Sequence, residues 1–391
     1  MKRVFLILAA TVFCFALLLE KSSAQNTQKE EGGFKINSAV INEEREILVD
    51  LPAEYETLPN ERFPVLYMLD GEGRNPEMMK TIINHLESNF QIPPLILVSI
   101  PNTIRNRDLT PTEVKDFPNS GGGDKFLEFL ETELFPQIEK NYRTQPYRIF
   151  AGHSFGGLTV VYTMLNKPKL FNAYIAASPA LFWDENLVIK QTPQQLKKNK
   201  SAGKIMFVGL GEEPDLIKEY NLFRQQILAL KPMGLDYEFK LFPKENHNSA
   251  IFLEYYYGLK KVYSDWSPIP KKFPLSKTWL REMELHFQQL TKKYGYQIQI
   301  PEALLNGIGY GLMYQEKRID DAIEAFRKNA ELYPDSANVF DSLGEAYEVK
   351  EDFVSASKNY KKAFELAEAK GNANLAKSAK ANFDRVNGKI K

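Results

Sequence analysis

"YRIFAGHSFGGLTVVYTMLNK", Tyr147–Lys167, changes its periodicity halfway. Its first half is a short apolar run of the kind a strand buried on both faces requires. Its second half repeats apolar residues at helical spacing. Where the two meet stands Gly152-His153-Ser154-Phe155-Gly156, a G-x-S-x-G. The five letters arise by chance in about one chain in ten of this length. A strand before and a helix after give them chemical meaning. Side chains at positions 152 and 156 would clash in a strained strand-to-helix turn. The turn pushes the Ser154 hydroxyl out above the sheet edge, and the following helix aims its N-terminal amides at negative charge.

Working outward, the same kind of apolar run recurs at "REILVDLP" (45–52), "FPVLYMLDG" (63–71), "PLILVSIP" (94–101), "FNAYIAASP" (171–179), "KIMFVGLG" (204–211) and "YEFKLFP" (237–243). Helical patterns lie between several of them, as in "DKFLEFLETELFPQIEKNY" (124–142) and "IKEYNLFRQQILAL" (217–230). Strands alternating with helices predict an α/β fold, a doubly wound and mostly parallel sheet, over residues 34–265. Residues 25–33 read as a polar, flexible lead. Pro268, Pro270 and Pro274 then mark a boundary, and 266–300 reads as a connector with its own helix. Residues 301–386 carry a repeat. Ala322 and Phe326 are matched 34 positions later by Ala356 and Tyr360, a period that suggests tetratricopeptide-type helix pairs. Tyr310 then stands where the second unit has Gly344. Two such units are fewer than an independent stack needs, so they should lean on the preceding helix or on the α/β unit. They also offer a surface for a protein or peptide partner.

The chain has 391 residues, 43% hydrophobic and 26% charged, with a formal net charge of zero. No polybasic block points to nucleic acid or to an anionic membrane surface. Lys2 and Arg3 precede an apolar run, Val4–Leu19, and the small residues Ser22-Ser23-Ala24. This is the pattern of a secretory signal peptide over 1–24, and it predicts a periplasmic or secreted protein with no membrane span after cleavage. An uncleaved anchor is the competing reading. Cys14 is the only cysteine. Phe13 before it is too bulky for a lipidation site, and a chain cleaved after Ala24 has neither disulfides nor a catalytic thiol.

A serine nucleophile needs a base. Of the four histidines, His85 and His286 fall in helical patterns, and His153 adjoins the serine inside the turn, facing away from its hydroxyl. His247, in the polar loop "FPKENHNSA" after the last strand, is the candidate base, following the chain order serine, acid, histidine. The acid should follow the preceding strand, where "GLGEEPD" offers three carboxylates. Glu212 is preferred, Asp215 is a serious rival, and Glu213 ranks third. Backbone donors for an oxyanion are expected from Phe155 N–H and, in the glycine-lined loop "LDGEGRN" (69–75), from Glu72 N–H. No metal or cofactor is implied.

"FPVLYMLDG", "RNRDLTPT" (105–112), "AGHSFGGL", "ASPALFW" (177–183) and "ENHNSA" together resemble the α/β-hydrolases of the putative esterase (esterase D-like) family, in its siderophore or enterochelin esterase branch. The resemblance covers about residues 34–265. It implies an α/β-hydrolase fold and a serine hydrolase of carboxylic esters, with Ser154 as nucleophile and His247 as base. The substrate would be a small ester, siderophore-type, acylated sugar or feruloyl; an acyltransferase on the same residues is an alternative. Arg105 and Arg107 could hold a substrate carboxylate or phenolate, or pair with Asp108 to order a loop. Trp183, with Phe182, could wall an aromatic-accepting pocket or simply pack. A non-catalytic scaffold, recruiting a peptide through the helical repeats, is the reading from a different class.

Overall fold

The computed structural model describes residues 32–199, 201–266 and 276–390. The candidate signal peptide and the three prolines of the connector lie outside the described residues. Eight strands form one sheet in the order β1-β2-β4-β3-β5-β6-β7-β8: β1 (Gly32–Ser38), β2 (Glu43–Asp50), β3 (Phe63–Leu69), β4 (Ile96–Ile100), β5 (Thr144–His153), β6 (Ala173–Ala177), β7 (Ile205–Leu210) and β8 (Asp236–Leu241). All neighbours from β4 to β8 are parallel, and β1 and β2 add antiparallel pairings at one edge. This is the mostly parallel α/β-hydrolase sheet. Strands β3, β4, β6 and β7 are buried at every position, which is why they read as unbroken apolar runs. Strand β1 was expected to be flexible lead as far as residue 33. Its "GGFKINS" alternates exposed and half-buried residues as an edge strand should, and the pairing with β2 begins at Gly32.

Helices cover both faces: α1 (Asn75–Ser88), α2 (Gly123–Phe129), α3 (Phe135–Asn141), α4 (Phe155–Asn166), α5 (Trp183–Lys198), α6 (Ile217–Leu230) and α7 (Ala250–Val262). Alternation along β5 sends Phe150 to one core, with Tyr67, Phe129, Phe135, Phe171 and Tyr174, and sends Ile149 and Ala151 to the other, with Ile82, Ile175, Phe207 and Leu259. The second core does not end with the sheet. It runs on through Trp279, Phe287 and Tyr294 of α8 (Trp279–Tyr294) into Leu305, Phe326 and Leu343. The joint is aromatic: Tyr147 at the start of β5 meets Tyr294 at 5.2 Å between ring centroids, and the Tyr294 hydroxyl donates to Val262 O at 3.0 Å.

Five more helices follow: α9 (Glu302–Tyr310), α10 (Ile319–Leu332), α11 (Ala337–Val349), α12 (Phe353–Ala369) and α13 (Ala373–Asn387). The repeat read at 34 residues is present as a contact, with one correction. Gly344 lies against the Tyr360 ring, where an added Cβ would stand 2.8 Å from Cδ1. The equivalent contact one unit earlier is Gly309 against Phe326, at 2.5 Å, and Tyr310 is not the counterpart of Gly344. The first unit holds one extra residue between glycine and ring, and a π-helical turn at Gly311–Gln315 absorbs it.

Candidate active site

Ser154 joins β5 to α4 with φ 58° and ψ −114°, a backbone region that L-residues enter only when their surroundings force them. The forcing is visible. Ser154 N–H donates to Ala177 O at 3.0 Å, and Ser154 O accepts from the N–H groups of Leu158 (2.9 Å) and Ala180 (3.1 Å). A Cβ on Gly152 would lie 2.5 Å from the Gly156 carbonyl, and one on Gly156 would stand 3.2 Å from Asp70 Oδ2. Gly157 is as constrained, since a Cβ there would come 2.7 Å from Ala177 O. Ser154 opens into a cavity of about 300 Å³ lined by Ala180, Phe182, Glu213, Asp215, Leu216 and His247.

His247 reaches this cavity from the loop after β8, with its side chain 37% exposed. Its Nδ1 lies 2.5 Å from Glu213 Oε2. Its own carbonyl accepts from His153 Nε2 at 2.8 Å, and the two rings stand 4.3 Å apart. His153 therefore braces the His247 loop, with its proton on Nε2. Burial, helped by the neighbouring His247, pushes its pKa down to about 4, so it stays neutral.

The carboxylate on His247 is Glu213, not the preferred Glu212. Glu212 is exposed and turns toward the 243–245 segment, where its Oε2 accepts from Lys244 N–H at 2.9 Å. Its N–H donates to Glu245 O at 2.5 Å. Glu213 folds back over the end of β7, and its Oε1 accepts from Gly211 N–H at 3.0 Å. Burial alone would raise the Glu213 pKa. Hydrogen bonds from His247, Ser178 and Gly211 outweigh burial and hold the carboxylate below its ordinary value. Asp215 is exposed at the cavity wall.

Two residues behind Glu213 escaped the sequence reading. Ser178, at φ 40° just past β6, has its Oγ 2.5 Å from Glu213 Oε1 and 2.9 Å from Glu254 Oε1. Ser178 N–H also donates to Glu254 Oε1 at 3.1 Å. Glu254, on α7, is fully buried. Burial first, then the nearby Glu213 charge, pushes its pKa up to about 8 against the pull of the Ser178 bonds. The available signal was a glutamate between Ala250 and Gly258, each four residues away and so on one helix face. That face packs tightly: a Cβ on Gly258 would come 2.4 Å from Ile175 Cγ2, and one on Gly209 would come 2.7 Å from Glu254 Cγ.

The expected oxyanion loop lies beside the elbow. Asp70 has φ 53°, and Gly71 N–H donates to Ile100 O at 3.0 Å, with no room for a Cβ. The Glu72 carboxylate accepts from Asn102 N–H (3.1 Å) and Asn102 Nδ2 (2.7 Å). Phe155 is the first residue of α4, where N–H groups have no partner within the helix.

Both arginines are already engaged. Arg105 grips Asp70 with Nε (2.6 Å) and Nη2 (2.9 Å), while Arg107 binds Glu43 with both terminal nitrogens and Asp108 through Nε at 2.7 Å. Arg107 thus orders its loop and does not line the cavity, while Arg105, paired with Asp70 instead of Asp108, stands over the Phe155 ring beside the elbow. Trp183 also departs from the pocket-wall expectation. It is 1% exposed, packs between Phe117 and Phe155, and donates Nε1–H to Thr112 Oγ1 at 3.1 Å. Phe182 is the aromatic residue on the cavity. Among the described residues no group of three or more His, Cys, Asp or Glu is arranged to hold a metal. Nor is any helix there long and apolar enough to cross a membrane.

The chain matches the family described as "Putative esterase" over residues 38–228. It is 28% identical to the ferri-bacillibactin esterase BesA of Bacillus subtilis over 232 residues, 49% of this chain and 76% of that protein. It is 30% identical to the apo-salmochelin esterase of Escherichia coli O6:H1 over 142 residues, 32% of this chain and 44% of that protein. An IroE-like serine hydrolase from Shewanella oneidensis superposes with a TM-score of 0.63 at 24% identity, covering 82% of this chain and 99% of its own. An uncharacterised protein from Capnocytophaga ochracea gives 0.60 at 16% identity, covering 91% of this chain and 99% of its own. The last two span more of the chain than its α/β unit alone, so the fold they share includes helices after the sheet.

Proposed function

We propose that this chain, which matches the putative esterase family over residues 38–228, hydrolyses carboxylic esters through Ser154, His247 and Glu213. The observation that carries this reading is the 2.5 Å contact between His247 Nδ1 and Glu213 Oε2 on the wall of the cavity that Ser154 lines. Glu213 accepts a hydrogen bond from Nδ1–H and stays ionised, which leaves the Nε2 lone pair to take the proton from Ser154 Oγ. Oγ then bonds the ester carbonyl carbon. The carbonyl oxygen becomes an oxyanion facing Phe155 N–H and Glu72 N–H, and the helix N-terminus adds its field. As the intermediate collapses, the alcohol leaves with the proton from His247 Nε2. Water, deprotonated by the same nitrogen, releases the acid and restores Ser154. Each backbone donor contributes about 3–4 kcal/mol of barrier lowering.

The substrate class follows from the cavity and the relatives together. Phe182, Leu216 and Ala180 give one apolar wall, suited to an aromatic acyl group. Two of the relatives named above are a ferri-bacillibactin esterase and an apo-salmochelin esterase, and a catecholate siderophore ester fits such a wall. The sequence pattern over 1–24 adds that the enzyme works after export, in the periplasm or outside the cell. The test is hydrolysis of short p-nitrophenyl esters and of a ferric tris-catecholate trilactone by the mature protein. Ser154→Ala and His247→Ala should each abolish both activities. Full rates in either pure variant would end the proposal, and activity on the nitrophenyl esters alone would remove only the siderophore assignment.

A further inference from the structure

Behind the proposed catalytic acid lies a second carboxyl group, and a count of protons decides its state. Ser178 Oγ stands within hydrogen-bond reach of Glu213 Oε1 and Glu254 Oε1. A serine hydroxyl carries one hydrogen, so it can donate to only one of them. The other carboxyl group must supply a proton of its own, or two lone pairs face each other in a site without water contact. Glu213 is engaged as an acceptor on both oxygens, from His247 Nδ1 on one and from Gly211 N–H on the other. Glu254 is the group left to be the acid. It is fully buried, and among the described residues no cation pairs with it.

We propose that Glu254 is a positioning residue that acts as a neutral carboxylic acid. It donates to Ser178 Oγ so that Ser178 donates to Glu213 and holds that carboxylate on His247. This inference deepens the esterase reading and rests on it for its catalytic part. Donation then converges on Glu213, from Glu254 through Ser178 on one oxygen and from the His247 imidazole on the other. The site behind the imidazole carries one negative charge rather than two. Ionisation of Glu254 would place a second charge beside Glu213 and leave Ser178 with two anionic acceptors for one hydrogen. The titratable groups facing Glu254 are Glu213 from the loop after β7, Tyr220 from α6 and Tyr255 beside it on α7, with His247 beyond Glu213. Both tyrosines have their pKa raised by burial, so neither ionises before Glu254 does. The relevant pH range is therefore set by Glu254 itself, near 8.

Two measurements on the full mature protein test this. The first is the NMR titration of the His247 imidazole, which needs no turnover. The wild type should show an inflection near pH 8 that Glu254→Gln removes, because glutamine cannot ionise. The second is kcat against pH on a p-nitrophenyl ester. The wild-type rate should fall several-fold between pH 7 and pH 9, and Glu254→Gln should flatten that limb. Ser178→Ala, which removes the relay without touching either carboxyl group, should lower kcat about 10-fold at pH 7. A His247 titration identical in the wild type and Glu254→Gln would overturn the proposal, as would parallel alkaline limbs in the two. Absence of any Ser154-dependent hydrolysis would overturn the esterase reading instead, while the NMR result would still decide the state of Glu254.

Discussion

Glu213→Gln should lower kcat by about three to four orders of magnitude, and the surroundings of the side chain give the reason. Gly211 N–H is an obligate donor 3.0 Å from Oε1, and the Ser178 hydroxyl lies 2.5 Å from the same oxygen. In the variant these donors hold the amide oxygen at the Oε1 position, which turns the NH2 group toward His247 Nδ1. That nitrogen must then accept, the imidazole proton moves to Nε2, and the lone pair that should receive the Ser154 proton is gone. The charge is lost as well. A carboxylate about 4 Å from a forming imidazolium is worth about 4 kcal/mol at an effective dielectric constant near 20, or roughly 10³ in rate. The wrong tautomer adds to this, toward the roughly 10⁴ that loss of the acid costs in a comparable triad. The assay is steady-state hydrolysis of a p-nitrophenyl ester at pH 7.5, with folding checked by circular dichroism. Glu212→Gln is the paired measurement and should stay within about three-fold of wild type, since exposed substitutions away from the chemistry have small effects. A folded Glu213→Gln of near-normal rate, or a collapse in Glu212→Gln, would refute the assignment.

Other outcomes follow from the same contacts. The folded-state pKa of Glu254, about 8, lies above its ordinary value of 4.5, so its penalty is absent below pH 4.5, grows as pH rises and levels off above 8. Glu254→Gln should accordingly stabilise the protein by about 3–5 kcal/mol at pH 8 and by almost nothing at pH 4, read from urea unfolding at the two pH values. Gly344→Ala and Gly309→Ala each force a Cβ into a buried aromatic ring and should destabilise by about 1–3 kcal/mol. Gly307→Ala, with open space around the new methyl, should not destabilise; differential scanning calorimetry separates the three. Phe182→Ala should raise KM for aromatic acyl esters about 10-fold with kcat little changed, because it removes apolar wall and no reacting group.

The strands were legible because burial on both faces writes itself as an unbroken apolar run, and β3, β4, β6 and β7 are such strands. Strand β1 was not, since an edge strand alternates with polar residues and "GGFKINS" looks like a linker. That Ser154 and His247 come to one cavity was readable from chain order, because the fold fixes which strand each follows. The acid was not. Three carboxylates within four residues follow β7, and the choice among them is made by the Gly211 and Lys244 amides, whose directions no periodicity encodes. Trp183 misled for a similar reason: a tryptophan just after a strand end can face the cavity or the core, and its bond to Thr112, 71 positions away, decides. The repeat misaligned by one residue because a π-turn changes spacing without changing composition.

The placing of the C-terminal helices bears on what they can do for the site. Helix α8 anchors to Tyr147, the fourth residue of β5, while Ser154 follows the other end of that strand. Seven residue steps along the strand separate the two, about 23 Å at ~3.3 Å per residue. The aromatic joint of Tyr147, Tyr263 and Tyr294 therefore sits at the far end of the strand from the cavity. None of the cavity-lining residues comes from beyond His247. Yet the helices share a continuous core with the sheet, so they are a structural extension of it rather than a tethered module. Truncation after Trp266 would bare the Tyr147, Tyr263 and Leu259 surface and should cost stability, as lower thermal midpoint or aggregation. The esterase constellation itself would remain chemically complete. Substrate choice must then be sought around Phe182, Leu216 and Asp215, and the helical extension is free to serve attachment or assembly instead.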